Sequence, residues 1–393
     1  MDIFANPIHI KKKDLIDLRV RNYIKSYSSY SEKGNPNGEN QDSVFNIEHF
    51  LLIKNLHVFG VCDGHGKNGK SVSDAICQLF PAYMHYLAID NDLIRKGEDI
   101  NNLIISLFKV QEHPEVRDMN IIRYSFNKCE IIYKYIPFIR KNTHELLYDI
   151  SEAFFRTHSD LKDRLKLEIE FSGSTVCTLF IHGLNLYCAN IGDSRALMCS
   201  YIFDKNKWEC NQLTVDHKPH LPSEMKRINV LNGKVERAKD ERGDPFGPPR
   251  VWFKNSNTNS NVDDNGPGLA MSRSIGDSSA KKIGVSCEPE LFQYKLKHEN
   301  KFIVIGTDGL WDNLSNEEVL AIAGDCYDLK EKAEFTAATL VNKARTVALE
   351  RNERKERKST HTGYHHSSKG SNALNIIDDV SCWVIYLDIK QKE

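Results

Sequence analysis

The sequence predicts an α+β fold built on antiparallel sheets, and three observations carry that prediction. Residues 174–181 (STVCTLFI) and 184–191 (LNLYCANI) are two β-rich runs joined by His182 and Gly183, which fits a tight hairpin. Helical periodicity is interspersed among such runs, most clearly over 69–88 and 144–166. Several apolar runs also finish or begin beside an aspartate, so acids gather at strand ends.

Taken in chain order, residues 57–62 (HVFGVC) read as a buried strand that hands over to the loop DGHGKNG. The helix over 69–88 follows. Residues 90–143 mix apolar and charged side chains without a clean period and are expected to form an inserted helical element. In the helix over 144–166, Leu147, Ile150 and Phe154 fall on one face. After the hairpin, 195–199 adds a third strand, and Ser223 is expected to cap a helix ending near Gly233. The run 302–306 leads into TDGLWDN, after which Ser315 and Glu318 form an S-x-x-E capping box. An amphipathic helix is expected over 331–350, a disordered basic loop over 351–372, and a last strand over 380–387, directly after IIDD.

Bulk properties exclude some classes of function. A formal charge of -1 over 393 residues gives no global field for nucleic acid or a membrane surface, so any ligand has to be read from local sites. The ten cysteines include no CxxC pair, and Cys62, Cys177, Cys188 and Cys382 sit inside apolar runs, as reduced buried thiols do. No stretch approaches the ~20 apolar residues of a membrane span, and the start MDIFANPIHIKKKD has no apolar core of signal length. The expectation is a monomer in the cytoplasm, the nucleus or both, binding neither nucleic acid nor membrane.

The acids carry the chemistry. Asp42 (GENQDSVF), Asp63 (CDGHG), Asp193 (IGDSRA), Asp308 and Asp312 (TDGLWD), and Asp378 and Asp379 (IIDDVS) lie at strand ends or in glycine-containing loops. One Asp-Gly alone marks a turn. Several brought together by a sheet crowd carboxylates into a small volume, which is unfavourable without cations. Mg2+ suits such a place: it takes oxygen ligands at about 2.0–2.1 Å and keeps several waters. Two such ions can activate a water toward phosphorus, which points to phosphoester hydrolysis. Gly64 would let its carbonyl approach an ion. His65 could donate a proton to a leaving alkoxide, or simply bond nearby carbonyls as a loop histidine. No Cys/His cluster has zinc spacing, and DGHGKNG lacks the alternating oxygens and terminal Glu of an EF-hand.

Eight segments in order, ENQDSVF, GVCDGHGKNG, SGSTVCTLFI, YCANIGDSRALM, LTVDHKPHLPSEMKRI, GLAMSRSIGD, VIGTDGLWDNLSNEEV and DDVSCWVIYL, resemble the successive motifs of the metal-dependent type 2C protein serine/threonine phosphatases, and the NQD form is most similar to the plant and protozoan branch. The resemblance implies one catalytic domain over 22–388, between an N-terminal extension (1–21) and a short tail (389–393). It implies a four-layer α/β/β/α sandwich of two central antiparallel sheets with a binuclear Mg2+ or Mn2+ site at one end. Asp63 would bridge the two ions, Gly64 would offer its carbonyl, Asp308 and Asp378 would complete the pair, and Asp42 would hold water. Asp193 and Asp312, with Asp308, match a third and weaker metal position found in some members. His65 matches the proposed general acid, and 217–268 the flap that shapes substrate choice. Phosphoproteins would be the substrates, hydrolysed without a phosphoenzyme.

The chain departs from the family pattern at Gln41, where many relatives have a second acid, and in lacking the arginine that holds substrate phosphate; Lys33 is the expected substitute, a point charge and not a bidentate fork. Two other readings compete: a binding scaffold with this fold but no activity, and a phosphatase acting on small phosphoesters or nucleic acid. The core acids are all present, against the first, and the charge balance and flap motif argue against the second.

Overall fold

A strand packed on both faces has to be apolar on both, and the apolar runs noted above turn out to be strands of that kind. The computed structural model describes residues 19–50, 53–88, 143–163, 167–240, 243–254, 268–361 and 377–390. One sheet has the order β1 (Ile24–Glu32), β14 (Val380–Leu387), β13 (Asn300–Gly306), β7 (Arg195–Ile202), β8 (Lys207–Gln212). The other has seven strands: β11 (Ile275–Gly276), β4 (Gly173–Ser174), β3 (Leu56–His65), β5 (Val176–His182), β6 (Asn185–Ile191) and β12 (Glu290–Lys295) in line, with β2 (Asp42–Ile47) also paired to β3. All the strand pairs are antiparallel.

The period of two sorts each central strand into two cores. On β3, Val58 and Cys62 join α1 (Gly69–Ala88) and α2 (Thr143–Asp163) through Ile76, Phe80 and Phe154, whereas Phe59 and Val61 face the five-stranded sheet and meet Ile303, Ile305 and Trp383. On β13 the alternate residues Phe302 and Val304 pack outward with Val319 of α6 (Asn316–Asp328) and Leu340 and Val341 of α7 (Ala333–His361). The layers are therefore helix, sheet, sheet, helix, as the resemblance implied. Each fully buried Phe or Ile contributes about 1.5–3 kcal/mol relative to leaving it in water. No helix among the described residues is long and apolar enough to cross a membrane.

Several boundaries differ from expectation. The hairpin turns at Gly183 and Leu184, with His182 paired to Asn185 and Gly183 at φ +60°. The helix α3 (Pro222–Val230) is started by Pro222 at its first position and not by a Ser223 cap, because proline's fixed φ suits the first turn. The capping box at Ser315 and Glu318 is formed. The expected loop over 351–372 is helical as far as His361 within α7, since Glu, Lys and Arg are good helix formers and pair across a turn, as Arg354 does with Glu350 at 3.4 Å. The rest of that loop, residues 90–142 of the insertion expected over 90–143, and the flap segment 255–267 lie outside the described residues. What is described of the flap holds α3 and the hairpin of β9 (Gly233–Lys239) and β10 (Pro245–Phe253), on a small core of its own around Ile228, Val251 and Ile283. Ile389, expected in the tail, packs into the core between the sheets.

Candidate active site

The loop expected to carry the acid and the histidine is in fact strand. β3 continues through Asp63, Gly64 and His65 because each still has a ladder partner: Asp42 opposite Asp63, Ser174 opposite Gly64 and Gly173 opposite His65. Directly opposed residues project to the same face, so Asp42 and Asp63 share the face that carries Phe59 and Val61 toward the second sheet. The chain turns only at Gly66, at φ +81°. Gly64 is required for a reason the sequence did not suggest. A Cβ there would lie 2.4 Å from the Gly69 carbonyl oxygen and 2.6 Å from that of Gln41, so backbone from two neighbouring segments closes over it.

The second sheet supplies the facing acids. After β13, Thr307 donates its hydroxyl to Asp42 Oδ2 at 2.9 Å and accepts from the Ser381 amide at 3.1 Å, tying the two sheets together. Asp308 is the first residue of the short helix α5 (Asp308–Trp311). Of the acidic doublet before β14, Asp379 is committed to the fold, its two oxygens accepting from the Gly34 and Gln41 amides at 2.7 Å each. Asp378 is the exposed one. Gln41 also donates its side-chain amide to the Gly66 carbonyl at 2.9 Å, a bond that a carboxylate at this position could not make.

Electrostatics record the crowding. Burial, followed by the charges of Asp308, Asp42, Asp378 and Asp193, holds the Asp63 carboxyl well above its ordinary range. Burial and the charges of Asp193, Asp378 and Asp312 do the same to Asp308. Asp42 is raised to about 7, chiefly by burial, against hydrogen bonds from Ser381 and Thr307 that oppose the rise. Asp193 is buried and accepts from the Lys218 ammonium at 2.5 Å; that ammonium stands 3.9 Å from the exposed Asp312.

Among the described residues, no group of three or more His, Cys, Asp or Glu side chains is placed to hold a metal ion as it stands. Asp42, Asp193 and Asp308 each nevertheless keep one carboxylate oxygen buried with no hydrogen-bond partner. Unpaired anionic oxygens beside mutually repelling carboxylates are the donor chemistry of a hard divalent cation, so these residues fit Mg2+ or Mn2+.

His65 donates from Nε2 to Asp277 Oδ2 at 2.7 Å. Burial lowers its pKa, but the Asp277 charge and hydrogen bond outweigh that, and the net direction is up. Lys33 is exposed, and its ammonium donates to the Pro36 carbonyl at 2.8 Å. Lys218, Asp277 and Arg351, whose guanidinium donates to the Asp312 carbonyl at 2.9 Å, were not singled out from the sequence. VDHKPH and SIGDSS show polar residues beside an apolar run or a glycine, a signal too common to select them.

Comparison with known proteins gives the family and the fold. A family model described as Protein phosphatase 2C matches residues 124–353, more than half of the chain. "Probable protein phosphatase 2C 65" of Arabidopsis thaliana is 32% identical over 322 residues, which cover 81% of this chain and 71% of that protein. "Probable protein phosphatase 2C 73" of Oryza sativa subsp. japonica is 31% identical over 300 residues, covering 75% of this chain and 63% of that one. Among solved structures, a serine-threonine phosphatase 2C from Toxoplasma gondii superposes with a TM-score of 0.60 at 17% identity, covering 94% of this chain and 98% of its own, a likeness of fold.

Proposed function

The chain belongs to the protein phosphatase 2C family of serine/threonine phosphatases, and from that premise we propose that it hydrolyses phosphoserine and phosphothreonine in proteins with the help of two Mg2+ or Mn2+ ions and without a phosphoenzyme. The observation that carries this reading is the set of buried, unpartnered carboxylate oxygens on Asp42, Asp193 and Asp308 around the seam where β3 meets the end of β13. When bound, such cations would act as Lewis acids and lower the pKa of water in the site.

The remaining work falls to the chain's own groups. Asp63, the Gly64 carbonyl, Asp308 and Asp378 would hold the two ions, and Asp193 and Asp312 with Asp308 a third, in competition with the Lys218 ammonium. Asp42, anchored by Thr307, would orient the attacking water through a hydrogen bond. His65 would protonate the serine or threonine oxygen as it leaves phosphorus. Lys33 is the charge available for the substrate phosphate, and to serve it would leave the Pro36 carbonyl. Cys62, Cys177, Cys188 and Cys199 are buried, and burial raises each thiol, which does not suit these four to act as nucleophiles. Those free thiols also fit a reducing compartment, and we place the protein in the cytoplasm or nucleus as a monomer acting on phosphoproteins.

The test is hydrolysis of a phosphothreonine peptide by the full chain with Mn2+, alongside calorimetric titration of Mn2+. Activity that EDTA removes, and that Asp63→Ala loses together with Mn2+ affinity, is the expected result. Full turnover in EDTA, or in Asp63→Ala, would overturn the reading.

A further inference from the structure

We propose that Asp277 is a positioning residue for His65: it holds the ring through Nε2 so that Nδ1 is the atom that delivers the proton to the leaving oxygen. The inference rests on the phosphatase reading given above.

Three features of the fold converge on this pair. The first is topological. Asp277 directly follows β11, which is separated from β3 by β4, with Gly276 opposite Gly173 and Gly173 opposite His65. To reach His65 the carboxylate has to pass across the strand between them. It can do so because residue 173 has no side chain: a Cβ there would lie 2.3 Å from Asp277 Oδ2. Glycine at 173 keeps the passage open.

The second is a stabilising contact forgone. Asp277 occupies the N-cap of the short helix α4 (Ser278–Lys281), where an aspartate ordinarily accepts from the first free helix amides. Its side chain makes no such bond. Oδ2 instead accepts from His65 Nε2 at 2.7 Å and from the Ser274 hydroxyl at 2.6 Å. The backbone at Asp277 is left-handed, φ 48° and ψ 51°, a conformation uncommon for a residue with a side chain. It is held there by its amide's bond to the Ser172 carbonyl at 2.9 Å.

The third is support from behind. Lys281 donates to the Ser274 carbonyl at 2.8 Å and to its hydroxyl at 3.0 Å, which directs the Ser274 hydroxyl proton to Asp277. The carboxylate thus has fixed donors while His65 keeps Nδ1 buried with no partner. A ring held at one nitrogen and unengaged at the other has one orientation and one atom left to act. As water attacks and the phosphorus–oxygen bond breaks, the proton on Nδ1 passes to the serine or threonine oxygen. The imidazole is left neutral, with the Nε2 proton still on the ring and donated to Asp277.

Leaving-group dependence separates this role from a structural one. A serine or threonine alkoxide needs the proton, whereas p-nitrophenolate leaves without it. With the full chain and Mn2+, Asp277→Asn is expected to lower the ratio of kcat on a phosphothreonine peptide to kcat on p-nitrophenyl phosphate by about 100-fold, within the usual range for a positioned general acid. Gly173→Ala keeps the carboxylate but closes its path, and should shift the ratio in the same direction, which covers the case of an Asp277→Asn that folds poorly. In a His65→Ala background, Asp277→Asn should change the ratio no further. An unchanged ratio in both Asp277→Asn and Gly173→Ala, or a further fall in the His65→Ala background, would overturn the assignment. A wild-type chain inactive on both substrates would instead remove the phosphatase reading beneath it.

Discussion

Replacing Asp42 with asparagine in metal-free protein probes the cost of gathering these acids. Asp42 is 3% exposed, one of its oxygens has no partner, and its pKa is lifted from 3.8 to about 7, first by burial and then, against two hydrogen bonds, by the charges of Asp378 and Asp379. An acid raised in this way keeps its proton longer in the folded chain than in the unfolded one. Between 3.8 and about 7 the folded state binds more protons, so stability falls as pH climbs through that window. At about 1.4 kcal/mol per pH unit, the loss reaches about 4 kcal/mol by neutral pH. His57 works in the opposite direction: burial lowers it to about 4, so it favours the fold as pH rises from there to 6.5. That contribution is common to both proteins and drops out of their difference. Urea unfolding in EDTA should therefore find Asp42→Asn and wild type close in stability at about pH 4, and the variant more stable by up to about 4 kcal/mol at about pH 7.5. Saturating Mn2+ should shrink or reverse that gap, because cation binding stabilises the folded wild type. A difference independent of pH would refute the reasoning.

Two further substitutions test how the surroundings hold the site. Gln41→Glu removes the donor to the Gly66 carbonyl and brings a carboxylate against that oxygen; a loss of about 0.5–1.5 kcal/mol is expected in urea unfolding, and equal stability would show that the amide bond is not what glutamine supplies. Lys218→Met leaves the buried Asp193 carboxylate without its ammonium; the metal-free protein should lose about 3–5 kcal/mol, with Mn2+ raising its melting temperature by more than it raises that of wild type.

The sandwich was legible because burial on both faces leaves a plain mark. The runs 302–306 and 380–387 are apolar at every position except Gly306 and Ser381, and they became β13 and β14 at the centre of the five-stranded sheet. Where the mark is weak, the reading slipped. Residues 351–361 look like a solvated loop by composition, but a charged helix extending from a packed one has the same composition, and the difference lies in the Leu340 and Val341 anchor upstream. The DGHG stretch reads as loop by its glycines, yet Gly64 serves close approach of backbone within a ladder and only Gly66 turns the chain.

The site divides in the same way. Acids at strand ends could be named from sequence because their position relative to apolar runs is local information. The division of labour between Asp378 and Asp379 could not, because it is set by the Gly34 and Gln41 amides more than three hundred residues upstream, which take up both oxygens of Asp379. Asp277 escaped for the same reason: its purpose depends on a glycine on the neighbouring strand and a histidine one strand further on. A cap-position aspartate whose carboxylate ignores its own helix is a signal that exists only once the strands are paired. On the proposed reading, the acids that would hold the cations, read from strand ends, and the residue that aims His65, read from cross-strand neighbours, answer to different perturbations. Changing the first should alter cation affinity, and changing the second should alter which leaving groups the site can expel.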